Sequence, residues 1–345
     1  MKLVADENIP GIEALFGRYF DEIVRLPGRT MTPAQVADAD ALVVRSVTRV
    51  NRELVEQSKV KFVGTCTIGT DHLDTLALSE LGIHWCSAPG CNADSVADYV
   101  LAACAVLERP VARQRVAVIG AGNVGSRVIR RFRQMSADVR VVDPFLAEPV
   151  VTGHSLEQVF EWAEIICLHT PLTRDGAHPT AGMIDSALVG RCASNTLIIS
   201  AGRGPVVKNE AVMSRTDIDW VLDVWDHEPS VAVESIEQAK IATAHIAGYA
   251  NEGKRRGTWM VFNEWARANQ KPIADWSVVA GELLPRPTRS DRWQDQILAA
   301  YDIRRDDRLF REALTASPAD NAIAFDQLRK HYPGRHEFNQ FDWTS

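Results

Sequence analysis

The chain has little of what would place it outside the cell or in a membrane. Its 345 residues hold only six cysteines, at positions 66, 86, 91, 104, 167 and 192, without a CxxC pair or the Cys/His spacing of a metal site. Most lie in apolar segments and read as reduced structural thiols, so neither a disulfide framework nor a bound metal is expected. No apolar run approaches the roughly 18 residues of a membrane span. The amino terminus, MKLVADENIP, has charges where a signal peptide needs an apolar core. Positive charge is not in excess either: 38 Lys and Arg against 45 Asp and Glu leave a net charge of −7, which argues against general nucleic-acid binding. Repeats and low-complexity tracts are missing. What remains is a globular chain, expected in the cytoplasm, long enough for two or three domains and, at 46% hydrophobic, able to bury substantial cores.

The most informative stretch runs from Arg115 to Asp143, RVAVIGAGNVGSRVIRRFRQMSADVRVVD. Arg115 to Ile119 form an apolar strand that leads into Gly120-Ala121-Gly122-Asn123-Val124-Gly125, and a helical pattern follows. A second strand, Val139 to Val142, ends on Asp143, about 20 residues past the last glycine, where a ribose-binding acid belongs. Gly120 permits the sharp turn, Gly122 lets a pyrophosphate approach the backbone, and Gly125 allows the helix to pack on the strand. The anion then meets unpaired N–H groups at the positive end of a helix. Asp143 can accept hydrogen bonds from ribose hydroxyls but repels a 2'-phosphate, so NAD is expected rather than NADP. The bland alternative is that Asp143 only caps its loop.

Strands and helices alternate on both sides of this stretch. Lys2 to Ala5, Ala41 to Val44, Lys61 to Gly64 and Ile83 to Cys86 read as strands of a first parallel unit, with helices between them. Further strands are readable at Ile165 to His169, Thr196 to Ser200, Trp220 to Val224 and Lys240 to Thr243. The expected fold is α/β: two doubly wound parallel-sheet domains of Rossmann or flavodoxin type, followed by a smaller C-terminal domain. Residues 1–92 would bind substrate, 93–251 would bind NAD, and the amphipathic stretch 252–270 would pack back on the first domain. Residues 271–345 change character, with charged helical stretches carrying well-spaced aromatics, as in a folded appendage or subunit interface.

Polar residues gather where strands end, the place where open parallel sheets bind ligands. In the first unit these are Arg45-Ser46 and the segment TCTIGTD holding Thr67; ordinary turn chemistry would also account for them. In the second they include His169-Thr170, Ala201-Gly202-Arg203, Asp223, Glu228 and His245. Hydride transfer from a 2-hydroxy acid needs a group to take the hydroxyl proton and a cation to orient the carboxylate and polarise the C2 oxygen. His245 suits the first task and Arg203 the second, while Glu228 beside the imidazole would favour its protonated form. Taken singly, each has a plain explanation as a surface or loop residue.

Five motifs in order change that balance: GAGNVG with Asp143, His169-Thr170-Pro171-Leu172, SAGRGPVV around Arg203, LDVWDHEP with Asp223 and Glu228, and TAHIAGYA with His245. Together they resemble the NAD-dependent D-2-hydroxyacid dehydrogenases. The resemblance implies that Arg203, Glu228 and His245 are catalytic. VRSVTRVN (44–51), GTCTIGTDHLD (64–74), APGCNADSVADYV (88–100) and HIAGYANEGKRRGT (245–258) are similar to the branch of vitamin B6 synthesis that oxidises 4-phospho-D-erythronate. That likeness implies substrate contacts from Ser46, Thr67 and Tyr249. It implies NAD contacts from Asn123, Val124, Asp143, Thr170, Ala201, Gly202, Arg203, Asp223 and Gly248, beside Gly120, Gly122 and Gly125 of the turn. It also assigns 271–345 to an α+β dimerisation domain, so the chain is expected as a homodimer. For the phosphate, Arg45 is favoured over Lys254-Arg255-Arg256, which read as a solvated helix face. Two departures, shortened segments at 108–114 and 214–219, put loop geometry in question rather than chemistry. Two alternatives stay open: another D-2-hydroxy acid such as 3-phosphoglycerate, and an NAD-sensing scaffold without activity.

Overall fold

The computed structural model describes residues 1–147, 153–315 and 317–344. The chain divides into two compact units, Met1–Asn92 with Ala250–Leu284, and Ala93–Tyr249 with Pro285–Ser345.

The first unit is built on five parallel strands, β1 (Lys2–Asp6), β2 (Glu22–Leu26), β3 (Ala41–Val44), β4 (Phe62–Thr65) and β5 (His84–Cys86), in the order β2-β1-β3-β4-β5. The interior strands ALVV and FVGT are buried throughout, as expected of a parallel sheet covered on both faces. β2 is absent from the strands readable in the sequence, because EIVRL is an edge strand, partly exposed and interrupted by charge. The helix Asn251–Ala268 places Val261, Phe262 and Trp265 in the same core as Leu3, Phe16 and Phe62. Phe262 meets Phe16 edge-on, with ring centroids 5.1 Å apart. At Gly257 a Cβ would stand 2.6 Å from the Cys66 carbonyl oxygen, so this helix lies directly against the carboxyl end of β4.

The boundary expected at 270/271 falls instead at 284/285. Val279 is buried in the first core, and Trp276 meets Trp259 edge-on at 5.9 Å. These apolar contacts hold residues 271–284 to the first unit, and only the chain from Pro285 onward belongs with the second.

The second unit has six parallel strands, β6 (Arg115–Ile119), β7 (Asp138–Val142), β8 (Ile165–Leu168), β9 (Leu197–Ser200), β10 (Asp219–Leu222) and β11 (Ile241–Ala242), ordered β11-β10-β9-β8-β6-β7. The Asn123–Gln134 helix buries Gly125, Val128, Ile129 and Phe132, and carries Arg131 and Arg133 in its last turn, where they complement the helix dipole. The shortened 108–114 segment joins helix to strand with two non-glycine residues in the left-handed region, Glu108 (φ 50°) and Arg113 (φ 64°). The tail's regular elements are the helices Trp293–Ala300, Arg304–Glu312 and Pro318–Lys330 and a short 3-10 turn at Phe338–Gln340, with single bridging residues at Arg335 and Phe341. Phe310 and Phe325 from these helices enter the same core as Trp220 and Trp225.

In each sheet the strand order reverses once, between β1 and β3 and between β6 and β8. The residues just beyond the carboxyl ends at those two points are therefore the first places to look for ligand chemistry.

Candidate active site

At the β6/β8 reversal, Gly120 turns at φ +86°, and a Cβ there would lie 3.0 Å from the His169 carbonyl group. At Gly125 a Cβ would come within 1.9 Å of the Gly120 carbonyl oxygen, which is why the helix can start this close to the strand. Gly122 differs: nothing lies within 4 Å of where its Cβ would be, so its bareness serves whatever approaches from outside. No side chain caps the helix that begins at Asn123, leaving its amino-terminal N–H groups available to an anion. Asp143 Oδ2 accepts from the Ala121 N–H at 2.8 Å, and Oδ1 from the Phe145 N–H at 3.0 Å. The carboxylate thus caps its own turn and braces the glycine loop, and each oxygen keeps a lone pair for a ribose hydroxyl. These residues fit NAD: a bare cradle, a free helix end and an acid beside it. Val124 packs against the core, and Thr170 presents a buried hydroxyl oxygen without a hydrogen-bond partner.

The catalytic candidates converge at the ends of β9, β10 and β11. Arg203 follows β9, and the next residue, Gly204, is pressed so closely on the neighbouring loop that a Cβ would sit 1.7 Å from the Trp225 carbonyl oxygen. That contact sets the loop carrying Arg203 against the loop carrying Glu228. Glu228 Oε2 lies 2.7 Å from His245 Nδ1, and its Oε1 accepts from the Trp225 N–H at 2.8 Å. His245 itself is held at φ +54°, an uncommon conformation for a non-glycine residue, of the kind that persists only when surroundings enforce it. The enforcing groups are visible. Asp223, 1% exposed, accepts from the Ile246 and Ala247 N–H groups at 2.7 and 3.0 Å and from the Thr243 hydroxyl at 2.7 Å. The Trp225 indole donates to the Thr243 carbonyl at 2.8 Å. The loop carrying His245 is thereby tied to the loop carrying Glu228. Asp223, expected at the cofactor, also carries this bracing.

Burial alone would raise the Glu228 carboxyl, but the His245 imidazole, the Trp225 N–H and Arg329 outweigh it and hold the group below its ordinary value. Another histidine, His169, also stands at a strand end. Both ring nitrogens of His169 are buried without partners, and burial pushes its pKa down to about 4, so it is neutral where His245 would work. Arg203, Glu228 and His245 line one cavity of about 500 Å3 together with Arg174, Lys208 and His227. The last three were missed in the sequence, although Arg174 directly follows the HTPLT motif and Lys208 closes SAGRGPVVK. Ala201, Gly202 and Gly248 lie on the same loops.

In the first unit, the β1/β3 reversal places Asp6 and Arg45 together. Arg45 Nε is 3.0 Å from Oδ1 of Asp6, which is fully buried. Ser46 is exposed in the following turn. The Thr67 hydroxyl is 2.8 Å from that of Thr65 and donates to the Gly69 carbonyl at 3.1 Å. Lys254 is not on a solvated face: burial, and then the nearby Arg45 charge, lower its pKa. Tyr249 belongs to the second unit, its ring edge-on to Tyr332 at 5.7 Å.

Residues 96–247 match the family described as D-isomer specific 2-hydroxyacid dehydrogenase, NAD binding domain. Proteins named erythronate-4-phosphate dehydrogenase are similar over nearly the whole chain. The one from Pseudomonas entomophila is 44% identical, covering 98% of this chain and 92% of its own length, and the one from Teredinibacter turnerae is 43% identical, covering 100% and 95%. The chain belongs to the erythronate-4-phosphate dehydrogenase branch of the D-2-hydroxyacid dehydrogenases. Residues 285–344 match a further family described only as a domain of unknown function. Among solved structures, the NAD+-bound 3-phosphoglycerate dehydrogenase of Entamoeba histolytica superposes with a TM-score of 0.67 at 22% identity, over 79% of this chain and 96% of that one. The NAD-dependent formate dehydrogenase of Staphylococcus aureus gives 0.62 at 20%, over 80% and 98%. At those identities they show the fold, which is the doubly wound α/β architecture expected from the sequence. The chain is an NAD-dependent oxidoreductase, and no helix among the described residues is long and apolar enough to cross a membrane.

Proposed function

We propose that this chain oxidises 4-phospho-D-erythronate at C2 with NAD, giving (R)-3-hydroxy-2-oxo-4-phosphooxybutanoate for pyridoxal 5'-phosphate synthesis. The observation that carries the reading is the 2.7 Å pairing of His245 Nδ1 with Glu228 in the cavity that Arg203 also lines. With Nδ1 engaged, Nε2 is left to take the proton from the C2 hydroxyl. Glu228 stabilises the imidazolium that results. Arg203 offers a planar, bidentate donor to the substrate carboxylate and polarises the C2 oxygen as it becomes a carbonyl. The glycine turn and Asp143 would hold NAD, which when bound would supply the acceptor for the hydride leaving C2. Asn123, Val124, Thr170, Ala201, Gly202, Asp223 and Gly248 complete its surroundings in this reading.

Ser46, Thr67 and Tyr249 are assigned to substrate, and Arg45 to its phosphate. The Lys254 ammonium supports that assignment, because two cations drawn together suit a dianion. Residues 1–92 then form the substrate domain and 93–249 the NAD domain. In this reading the segment after 284 joins two copies as a homodimer in the cytoplasm.

The test is NAD reduction by the purified protein with 4-phospho-D-erythronate set against 3-phosphoglycerate and D-lactate. NADH production at least about tenfold more efficient with the first is expected, and a preference for either of the others overturns the substrate.

A further inference from the structure

The tail touches both loops that hold the Glu228–His245 pair. Phe310 meets Trp225 edge-on at 5.7 Å, and Trp225 is the residue whose N–H holds Glu228. Asp307 Oδ1 accepts from the Ala242 N–H at 2.7 Å at the end of β11, three residues before His245. Arg335 donates to the Ala247 carbonyl at 2.6 Å, just beyond it. Ala244 and Ile246, the two neighbours of His245, line a cavity of about 300 Å3 whose opposite wall is Leu309, Leu328 and Tyr332.

Arg329 stands at the centre of this arrangement. Its guanidinium lies 5.9 Å from the Tyr249 ring centroid and 5.8 Å from that of Phe325, and its Nε is buried without a hydrogen-bond partner. Among the charges acting on it are Glu228 and Asp326. A cation within about 6 Å of two ring centroids is drawn to their faces, which favours one placement of the guanidinium beside Tyr249, from where its charge reaches Glu228.

We propose that the segment from Ile303 to Phe338 is part of the catalytic apparatus, with Arg329 as a positioning residue that holds Tyr249 and sets the electrostatic balance of the Glu228–His245 pair. The inference rests on the general-base reading of that pair. The other charged groups facing the pair are Arg203, Arg174, Lys208, Asp226 and His227 around the larger cavity, with Asp223 behind it and Asp306 on the tail side. Arg329 is the cation that the tail adds on the Glu228 side. Its charge adds to the His245 imidazole and the Trp225 N–H in holding the Glu228 carboxyl below its ordinary value. Removing it lets the Glu228 carboxylate act unopposed on the imidazolium, so the acid limb of activity moves to higher pH.

The experiment compares the full-length Arg329→Gln and Arg329→Lys proteins with the parent. NAD reduction by 4-phospho-D-erythronate is followed across pH, NAD affinity by fluorescence, and assembly by sedimentation. For Arg329→Gln, kcat is expected to fall by roughly ten- to a hundredfold, the cost of a misplaced catalytic group, with NAD affinity and sedimentation unchanged and the acid limb displaced upward. Arg329→Lys restores the limb and part of kcat. An unmoved limb, a loss of NAD affinity matching the loss of kcat, or a lysine variant no better than glutamine overturns the inference. If the parent itself fails to reduce NAD, it is the proposed function that falls.

Discussion

His245 Nδ1 stands 2.7 Å from Glu228 Oε2, while the other oxygen of that carboxylate is fixed by the Trp225 N–H at 2.8 Å. The carboxylate therefore cannot turn away, and its charge bears on the imidazole in one geometry. Glu228→Gln keeps the shape and removes the charge. The imidazolium then loses its partner and gives up its proton at lower pH, so the acid limb of kcat for NAD reduction shifts downward, opposite to the shift expected of Arg329→Gln. A profile that does not move would dissolve the partnership.

His245→Ala removes the proposed base. General-base contributions are about 10²- to 10⁴-fold, and a loss of that size in kcat is expected. NAD binding should persist, because the glycine turn and Asp143 are held by their own hydrogen bonds rather than by His245. Stopped-flow measurement of NAD affinity separates the two quantities; a variant that loses both would place His245 in the cofactor site.

Asp143→Ala tests the cofactor preference. Because Oδ2 also holds the Ala121 N–H, the substitution both frees the glycine loop and lifts the repulsion of a 2'-phosphate. NAD should bind more weakly and the preference over NADP should narrow. Equal use of NAD and NADP by the unaltered protein would contradict the role.

How much of this was legible in the sequence follows from which interactions are local. The glycine turn, the buried strands ALVV, IICL and LIIS, and the Asn251–Ala268 helix announce themselves through spacing and burial pattern. Arg203, Glu228 and His245 could be nominated because each follows a strand of one parallel sheet and because the motifs around them resemble the D-2-hydroxyacid dehydrogenases. β2 was not, since an edge strand half in water has no continuous apolar run. Arg329 was not, because its meaning depends on Tyr249 and Glu228, 80 and 101 residues earlier in the chain. The tail's boundary was misplaced for the same reason: Trp276 and Val279 follow a polar stretch but pack on partners in the first unit.

A chain ending at Leu284 should be more than a dissociated version of the parent. It loses Phe310 and Phe325 from the core around Trp220 and Trp225 and also the Arg335 hold on Ala247. Truncating one such aromatic costs about 3–5 kcal/mol, so the second unit should lose stability together with assembly. Sedimentation is expected to show monomer or aggregate, and a well-behaved, active dimer would refute both the assembly and the bracing roles of the tail.

Arg45 is the hardest residue to assign, because it already has a partner. Its Nε lies 3.0 Å from a fully buried Asp6, whose Oδ1 also accepts from the Asn8 N–H at 2.8 Å. Arg45→Ala would strand that carboxylate at a cost of about 1–3 kcal/mol, tempered by the partial exposure of the arginine, and any change in kinetics would be confounded with stability. Arg45→Lys keeps the charge beside Asp6 and gives up only the planar fork that can grip a phosphate with two parallel hydrogen bonds. If Arg45 serves the phosphate, the lysine variant should melt within a few degrees of the parent, yet show a KM for 4-phospho-D-erythronate raised by roughly tenfold or more. Its KM for unphosphorylated D-erythronate should change little. A parallel rise for both substrates, or a fall in melting temperature that accounts for the loss, would mean that Arg45 holds Asp6 and the β1/β3 loops, and that the phosphate is received elsewhere.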